Sequence, residues 1–177
     1  IIAIVLLYFT VFSGSKQDLK VLVFSKTMGF RHESIEVGQE AIKQLGIKNG
    51  FQVEITEDAS VFKESFLKDF QVIIFLNSTG DILAQVLQSQ MERFIQAGGG
   101  FVGIHSAVDT EYAWEWYGKL VGAYFDSHPN NPNVREAYID VLNKEHPASD
   151  SIPERWKVED EWYNYKNINP DLNILMK

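Results

Sequence analysis

The stretch "GGGFVGIHSAVD" (residues 98–109) decides how the rest of the chain is read. Three glycines lead into a short apolar run, and Gly103-x-His105-x-Ala107 follows in the manner of a strand that ends in a sharp turn. Nucleophiles of α/β enzymes often sit at such a turn. Here the position carries a histidine, with Ser106 beside it.

Upstream lies the clearest helical pattern, "DILAQVLQSQMERFIQAGGG" (81–100). Its apolar stripe runs through Leu83, Val86, Leu87, Met91, Phe94 and Ile95, with Asp81 as the expected N-cap and the glycines as the stop. Before it, "QVIIFLNST" (71–79) is apolar enough for a strand covered on both faces. "SVFKESFLKDF" (60–70) spaces Phe62, Phe66 and Phe70 four apart, which predicts a short amphipathic helix. "FQVEITED" (51–58) and the Val-rich "LKVLVFSK" (19–26) read as strands. Between them, "HESIEVGQEAIKQLGIKNG" (32–50) places Ile35, Ala41, Ile42 and Leu45 at helical spacing and stops at Asn49-Gly50. Downstream of the opening stretch, "EYAWEWYGKLVGAYF" (111–125) predicts another helix. Strands and helices alternating at this cadence imply parallel strands joined by right-handed crossovers. The expected fold is a layered α/β sandwich.

After Phe125 the character changes to Pro- and Asn-rich sequence, with "EAYIDVLN" (136–143) and "WKVEDEWYNY" (156–165) as expected antiparallel strands. The closing "NILMK" is an apolar run without a terminator, so the domain is expected to be incomplete at its C-terminal end. At the other end, "IIAIVLLYFTVF" followed by "SGSKQD" resembles the apolar core and cleavage region of a secretory signal peptide. It is too short to span a bilayer. The expectation is a signal remnant over residues 1–15, one domain over 16–177, and an exported protein, periplasmic or extracellular. The plainer alternative for the first segment is a buried strand.

Composition narrows the function classes. The 177 residues are 45% apolar, enough for one sizeable core, and carry a formal net charge of −8. Nothing in so acidic a chain neutralises phosphates over a broad surface, and its sixteen Lys and Arg are scattered, which argues against nucleic acid as a partner. There is no cysteine, so disulfides, zinc–thiolate sites and thiol nucleophiles are excluded within this sequence.

In an open parallel sheet, ligands bind beyond the carboxyl ends of the strands. The first strand is followed by "TMGFRHES" (27–34), the third by Asn77-Ser78-Thr79-Gly80, and the fourth by His105-Ser106. His32, His105 and His128 fall after a strand or in the loop after a helix, whereas His146 sits in what reads as an outer turn. Each has a plain reading beside the functional one: His32 as a helix cap, His105 as a satisfied core group, His128 as a loop residue before proline. Ser106 is one residue late for a nucleophile elbow. His105 is therefore read as a proton-transfer group or a metal ligand. Arg31, His32, Asn77, Ser106, Asp109 and Tyr163 are the candidate substrate contacts.

"KVLVFSKTMGFRHESI", "GGGFVGIHSAVDT", "FDSHP" and "DEWYNY" occur in that order, and with them the chain resembles the ThuA-like trehalose-utilisation family over about residues 19–177. The resemblance implies a flavodoxin-like α/β/α sandwich of the class I glutamine amidotransferase-like type, with a mainly parallel sheet and His105 in place of the amidotransferase cysteine. It implies a role in catabolism of trehalose, related disaccharides or keto-sugars, without glutaminase activity. By motif it places His32, His105, His128 and the acidic pair Asp160/Glu161 around the pocket. It also implies that members continue past this end with a further strand and turn that complete the site. Two functional expectations follow. One is a carbohydrate-active enzyme, with the reaction open among hydrolase, lyase and isomerase. In it His105 and Glu161 serve as base and acid, or His32, His105 and His128 hold a divalent metal such as Zn. The other is a catalytically silent sugar-binding or accessory domain on the same scaffold. A purely structural role for the histidines is the bland third. The cofactor and the oligomeric state are left open, and no membrane span is expected in the mature domain.

Overall fold

In β1 (Lys20–Phe24) and β3 (Val72–Leu76), successive side chains point to opposite faces, and both faces are apolar. Leu22, Phe24, Ile73 and Phe75 face one way and are all fully buried; Val21, Val23 and Leu76 face the other. A strand apolar on both sides has to be covered on both sides, and this computed structural model, which describes residues 19–177, shows that covering. The expected signal remnant at residues 1–15 lies outside the described residues.

Four parallel strands form the sheet in the order β2 (Gln52–Thr56), β1, β3, β4 (Gly100–Ile104). Helix α1 (Ile35–Asn49) lies on the Val21/Val23/Leu76 face, with Ile42 in that cluster. The short α2 (Glu64–Leu67), α3 (Gln85–Gln96) and α4 (Glu115–Val121) contribute Leu67, Met91 and Tyr117 to the larger cluster on the opposite face. The expected three-layer α/β/α sandwich with a parallel sheet is the fold observed. Among the described residues no helix is long and apolar enough to cross a membrane.

Several boundaries differ from the sequence expectations for physical reasons. Ala41 and Leu45 face solvent, because α1 packs through Ile35, Ile42 and Gly46. Gly46 is required there: a Cβ would lie 2.7 Å from the Phe51 carbonyl oxygen. Asp81 does not cap α3, which starts four residues later, and Val86 is 68% exposed. The amides of Ile82 and Leu83 instead donate to the Glu111 carboxylate, at 2.8 and 2.6 Å. The long helix expected over 111–125 is only Glu115–Val121, ended by left-handed Gly122, after which Tyr124–Ser127 forms β5. Among the described residues β4 is an edge strand, with Val102 and Ile104 partly exposed.

The C-terminal part folds back over the strand tips. β6 (Val134–Asp140) and β7 (Arg155–Glu161) make the expected antiparallel ribbon, and β8 (Asn164–Lys166) pairs antiparallel with β5. The end of β7 and the β7–β8 link are thereby brought above the loop that follows β4.

Candidate functional site

The strand order reverses direction at β1 and β3, so the loops leaving their tips part and open a crevice. Thr79 joins those two loops. Its hydroxyl donates to the Phe30 carbonyl at 2.8 Å, and its own carbonyl accepts from the Met28 amide at 2.8 Å. This fixes the segment that carries His32. The chain leaves β4 through a cis His105–Ser106 peptide into a short 3-10 turn, Ala107–Asp109. Asn77, at the tip of β3, spans both loops: its amide NH2 donates to the His105 carbonyl and its oxygen accepts from the Ser34 hydroxyl at 3.4 Å.

The two imidazoles meet. His32 Nε2 lies 3.0 Å from His105 Nε2, with the rings edge to face. From above, the Tyr163 hydroxyl reaches His105 Nε2 at 3.0 Å, and Glu161 Oε2 stands 3.6 Å from the same nitrogen. The other Glu161 oxygen is held by the Asn133 amide at 2.6 Å, which aims the first at the histidines. His105 is a third exposed at its side chain, and its side-chain partners are other side chains, so it is not a core histidine satisfied by main chain. His32 Nδ1 is buried without a hydrogen-bond partner among the described residues.

Burial and the neighbouring His105 hold the His32 imidazole below its ordinary pKa, with Glu161 and Asp109 pulling weakly the other way. The Tyr163 phenol is pushed well above its ordinary value, first by burial and then by Glu161 and Asp109. It is therefore a hydroxyl donor at neutral pH. A neutral imidazole, a phenol and a carboxylate at one point can move protons at a carbonyl or hydroxyl carbon. The ligand atoms of His32, His105 and Glu161 all lie within 4.8 Å of one another and could hold a metal ion.

Beside this cluster is a cavity of about 570 Å³, within the roughly 300–1,000 Å³ typical of small-molecule sites. His32, Asp109, His128, Glu161 and Tyr163 line it. A second hollow of about 360 Å³ adjoins along β4 and shares Tyr163, with His105 on its wall.

Of the remaining expected residues, only His128 lines the cavity. Arg31 is turned to the surface and held by Glu57 at 2.9 and 3.0 Å and by Glu36 at 2.8 Å. Ser106 is fully buried, its hydroxyl donating to the Ser78 carbonyl at 3.2 Å. Asn77 supports the site from behind rather than lining it. His128 is on the cavity wall but outside the metal-capable group; its Nδ1 faces the Pro129 carbonyl and its ring stacks near Tyr163. Asp160 is exposed and its carboxylate accepts from the Glu161 amide. Phe30, Ser34, Phe125 and Asn133 join the lining without having been singled out. Phe30 and Ser34 belong to the 27–34 loop, which the strand-tip rule had marked as a whole. Nothing in the sequence marked Asn133.

Comparison with known proteins agrees with this architecture. Residues 20–177 match the ThuA family model, described as trehalose utilisation. A ThuA-like protein from Bacteroides uniformis superposes with a TM-score of 0.76 at 27% identity, over 89% of this chain and 66% of that one. A second, from Parabacteroides merdae, gives 0.67 at 19% identity, over 83% and 63%. A glutamine amidotransferase from Thermotoga maritima gives 0.52 at 12% identity, over 84% and 62%. The last two likenesses show the fold alone. The chain spans just under two thirds of the length of each of these relatives. No curated protein matches it.

Proposed function

The chain belongs to the ThuA trehalose-utilisation family, and from that premise we propose that it processes a carbohydrate of the trehalose, related-disaccharide or keto-sugar class in the cavity beside His32 and His105. The observation that supports this reading most is the meeting of His32, His105, Glu161 and Tyr163 at 3.0–3.6 Å on the rim of that cavity. A fold of this type hosts many activities, so the reading rests on the site.

A sugar ring is polar at its edges and apolar on its faces. The cavity offers both: Phe30, Phe125 and Tyr163 supply ring faces, and Asp109, Ser34 and Asn133 supply hydrogen-bonding groups. For a keto-sugar, an imidazole of the pair takes the proton beside the carbonyl. The Tyr163 hydroxyl, kept protonated by its surroundings, donates toward the carbonyl oxygen. Glu161, anchored by Asn133, stabilises the imidazolium that results. Glutaminase chemistry is not part of the proposal, since this sequence has no cysteine to attack an amide.

The test is incubation of the full-length protein with trehalose, related disaccharides and their keto forms, followed by product analysis. Conversion that disappears in both His105→Ala and Glu161→Gln, with folding retained, is the expected result. Saturable sugar binding without conversion would leave a silent sugar-binding domain instead.

A further inference from the structure

An imidazole Nε2 is either one donor or one acceptor, so it can satisfy one polar neighbour well. His105 Nε2 has three: His32 Nε2 and the Tyr163 hydroxyl at 3.0 Å, and Glu161 Oε2 at 3.6 Å. Two ring nitrogens of the same kind face each other, and only one proton fits between them. Protons alone therefore leave the cluster over-subscribed.

A cation removes that conflict, because each donor then turns its lone pair to one centre. Ligands about 2.0–2.1 Å from a tetrahedral ion lie roughly 3.3–3.4 Å from each other. The two separations at His105 Nε2, 3.0 and 3.6 Å, bracket that edge. Two imidazoles and one carboxylate, with a side left open, is the donor set of a catalytic rather than a structural zinc site. The open side here is the cavity.

We propose that His32 Nε2, His105 Nε2 and the Glu161 carboxylate bind one divalent cation of the Zn²⁺ class, with the position toward the cavity left for a sugar oxygen or water. This deepens the carbohydrate reading and rests on it for the ligand at the fourth position. The cation polarises a sugar carbonyl or activates water. With the cation bound, the imidazoles serve as ligands in place of the base role given above for the metal-free pair, and Tyr163 and Asp109 are the proton-transfer groups on the same wall. Asn133, bonded to the far Glu161 oxygen, is the positioning residue for the carboxylate. His32 Nδ1 has no acceptor among the described residues, so one usual support of a ligating histidine is missing. The affinity should accordingly fall short of that of a closed structural site.

The full-length protein, stripped with chelator, is titrated with Zn²⁺ by calorimetry and with Co²⁺ by visible absorption. One equivalent should bind, and Co²⁺ should give the d–d bands of a four-coordinate ion. His105→Ala and the near-isosteric Glu161→Gln should each weaken binding about 10-fold or more. His146→Ala, in the outer turn, should bind as the parent does. Binding lost in His128→Ala but kept in Glu161→Gln would overturn the ligand set. No binding by a folded parent protein would overturn the site altogether. Bound metal without sugar conversion sinks the carbohydrate reading and leaves the metal site. Sugar conversion undiminished in chelator, with no metal bound, does the reverse.

Discussion

Replacing Glu111 by Ala should cost about 2–4 kcal/mol of folding stability, although Glu111 is an acidic residue that no sequence rule places in a core. Its side chain is 2% exposed, and its carboxylate accepts from the amides of Ile82 and Leu83 and from Gln88 Nε2 at 2.6–2.8 Å. Those two amides are buried at the approach to α3, where a negative charge is also favoured by the helix N-terminus. Ala leaves both without an acceptor, at about 1–3 kcal/mol each, and relief of carboxylate burial offsets part of that. The positive φ of 56° at this residue is shared by Glu and Ala, so it cancels in the comparison. For a domain of this size the loss corresponds to a fall in Tm of about 4–16 °C. Thermal and urea unfolding of the parent and the variant measure it. Glu111→Gln keeps an acceptor oxygen and should lose much less.

Comparison of the parent with Glu111→Gln also carries a pH signature. Burial pushes the Glu111 carboxyl above its ordinary 4.5, and its hydrogen bonds recover only part of that. A carboxyl raised in the fold contributes its stability fully below its unfolded pKa and loses it as pH rises through the folded pKa. Glu111→Gln should therefore gain on the parent as pH climbs from about 4.5, with no further change once the folded pKa is passed. An Ala variant within about 0.5 kcal/mol of the parent, or a Gln variant that gains as pH falls, would refute the reasoning.

Gly46→Ala replaces a poor helix former by the best one, yet it should destabilise by about 1–3 kcal/mol, measured by urea unfolding, because its Cβ would press on the Phe51 carbonyl. A more stable Gly46→Ala protein would mean that α1 does not approach the Phe51 carbonyl so closely. Asn77→Gly should keep the fold, since Asn77 sits at a φ of 54° that glycine adopts freely, but loosen both histidine loops; conversion of a sugar that the parent acts on should drop about 10-fold or more. Equal activity in that variant would show that the bonds through Asn77 position nothing. Tyr163→Phe should leave stability nearly unchanged and lower kcat more than it raises KM, since it removes only a hydroxyl aimed at the reacting centre.

The sheet was readable because its signal is local. β1 and β3 are unbroken apolar runs, and a run of that kind with helices on either side has few other places to go. The α3 cap was misplaced because its acceptor, Glu111, comes from 28 residues further on, and no pattern around Asp81 reports it. The helix expected over 111–125 was too long because the spacing of Trp and Tyr there matches a helix, while Gly122 ends it early and Tyr124 turns back to bond the carbonyl of Trp114. For the site, the strand-tip rule alone marked the loops of His32 and His105. Glu161 came only from the family resemblance, because what brings it to His105 is the pairing of β6 with β7 and a long return connection. Arg31 was drawn away by Glu57, 26 residues distant in sequence, and such a pair leaves no trace in local composition.

The central claim is that the imidazoles of His32 and His105 face a bound sugar. The chain has four histidines, so their ring-proton NMR signals can be assigned one by one with single substitutions. On titration of the full-length protein with a disaccharide or its keto form, the signals of His32, His105 and His128 should move together along one saturation curve, while that of His146 stays fixed. Saturable binding that leaves His32 and His105 unmoved would contradict the account.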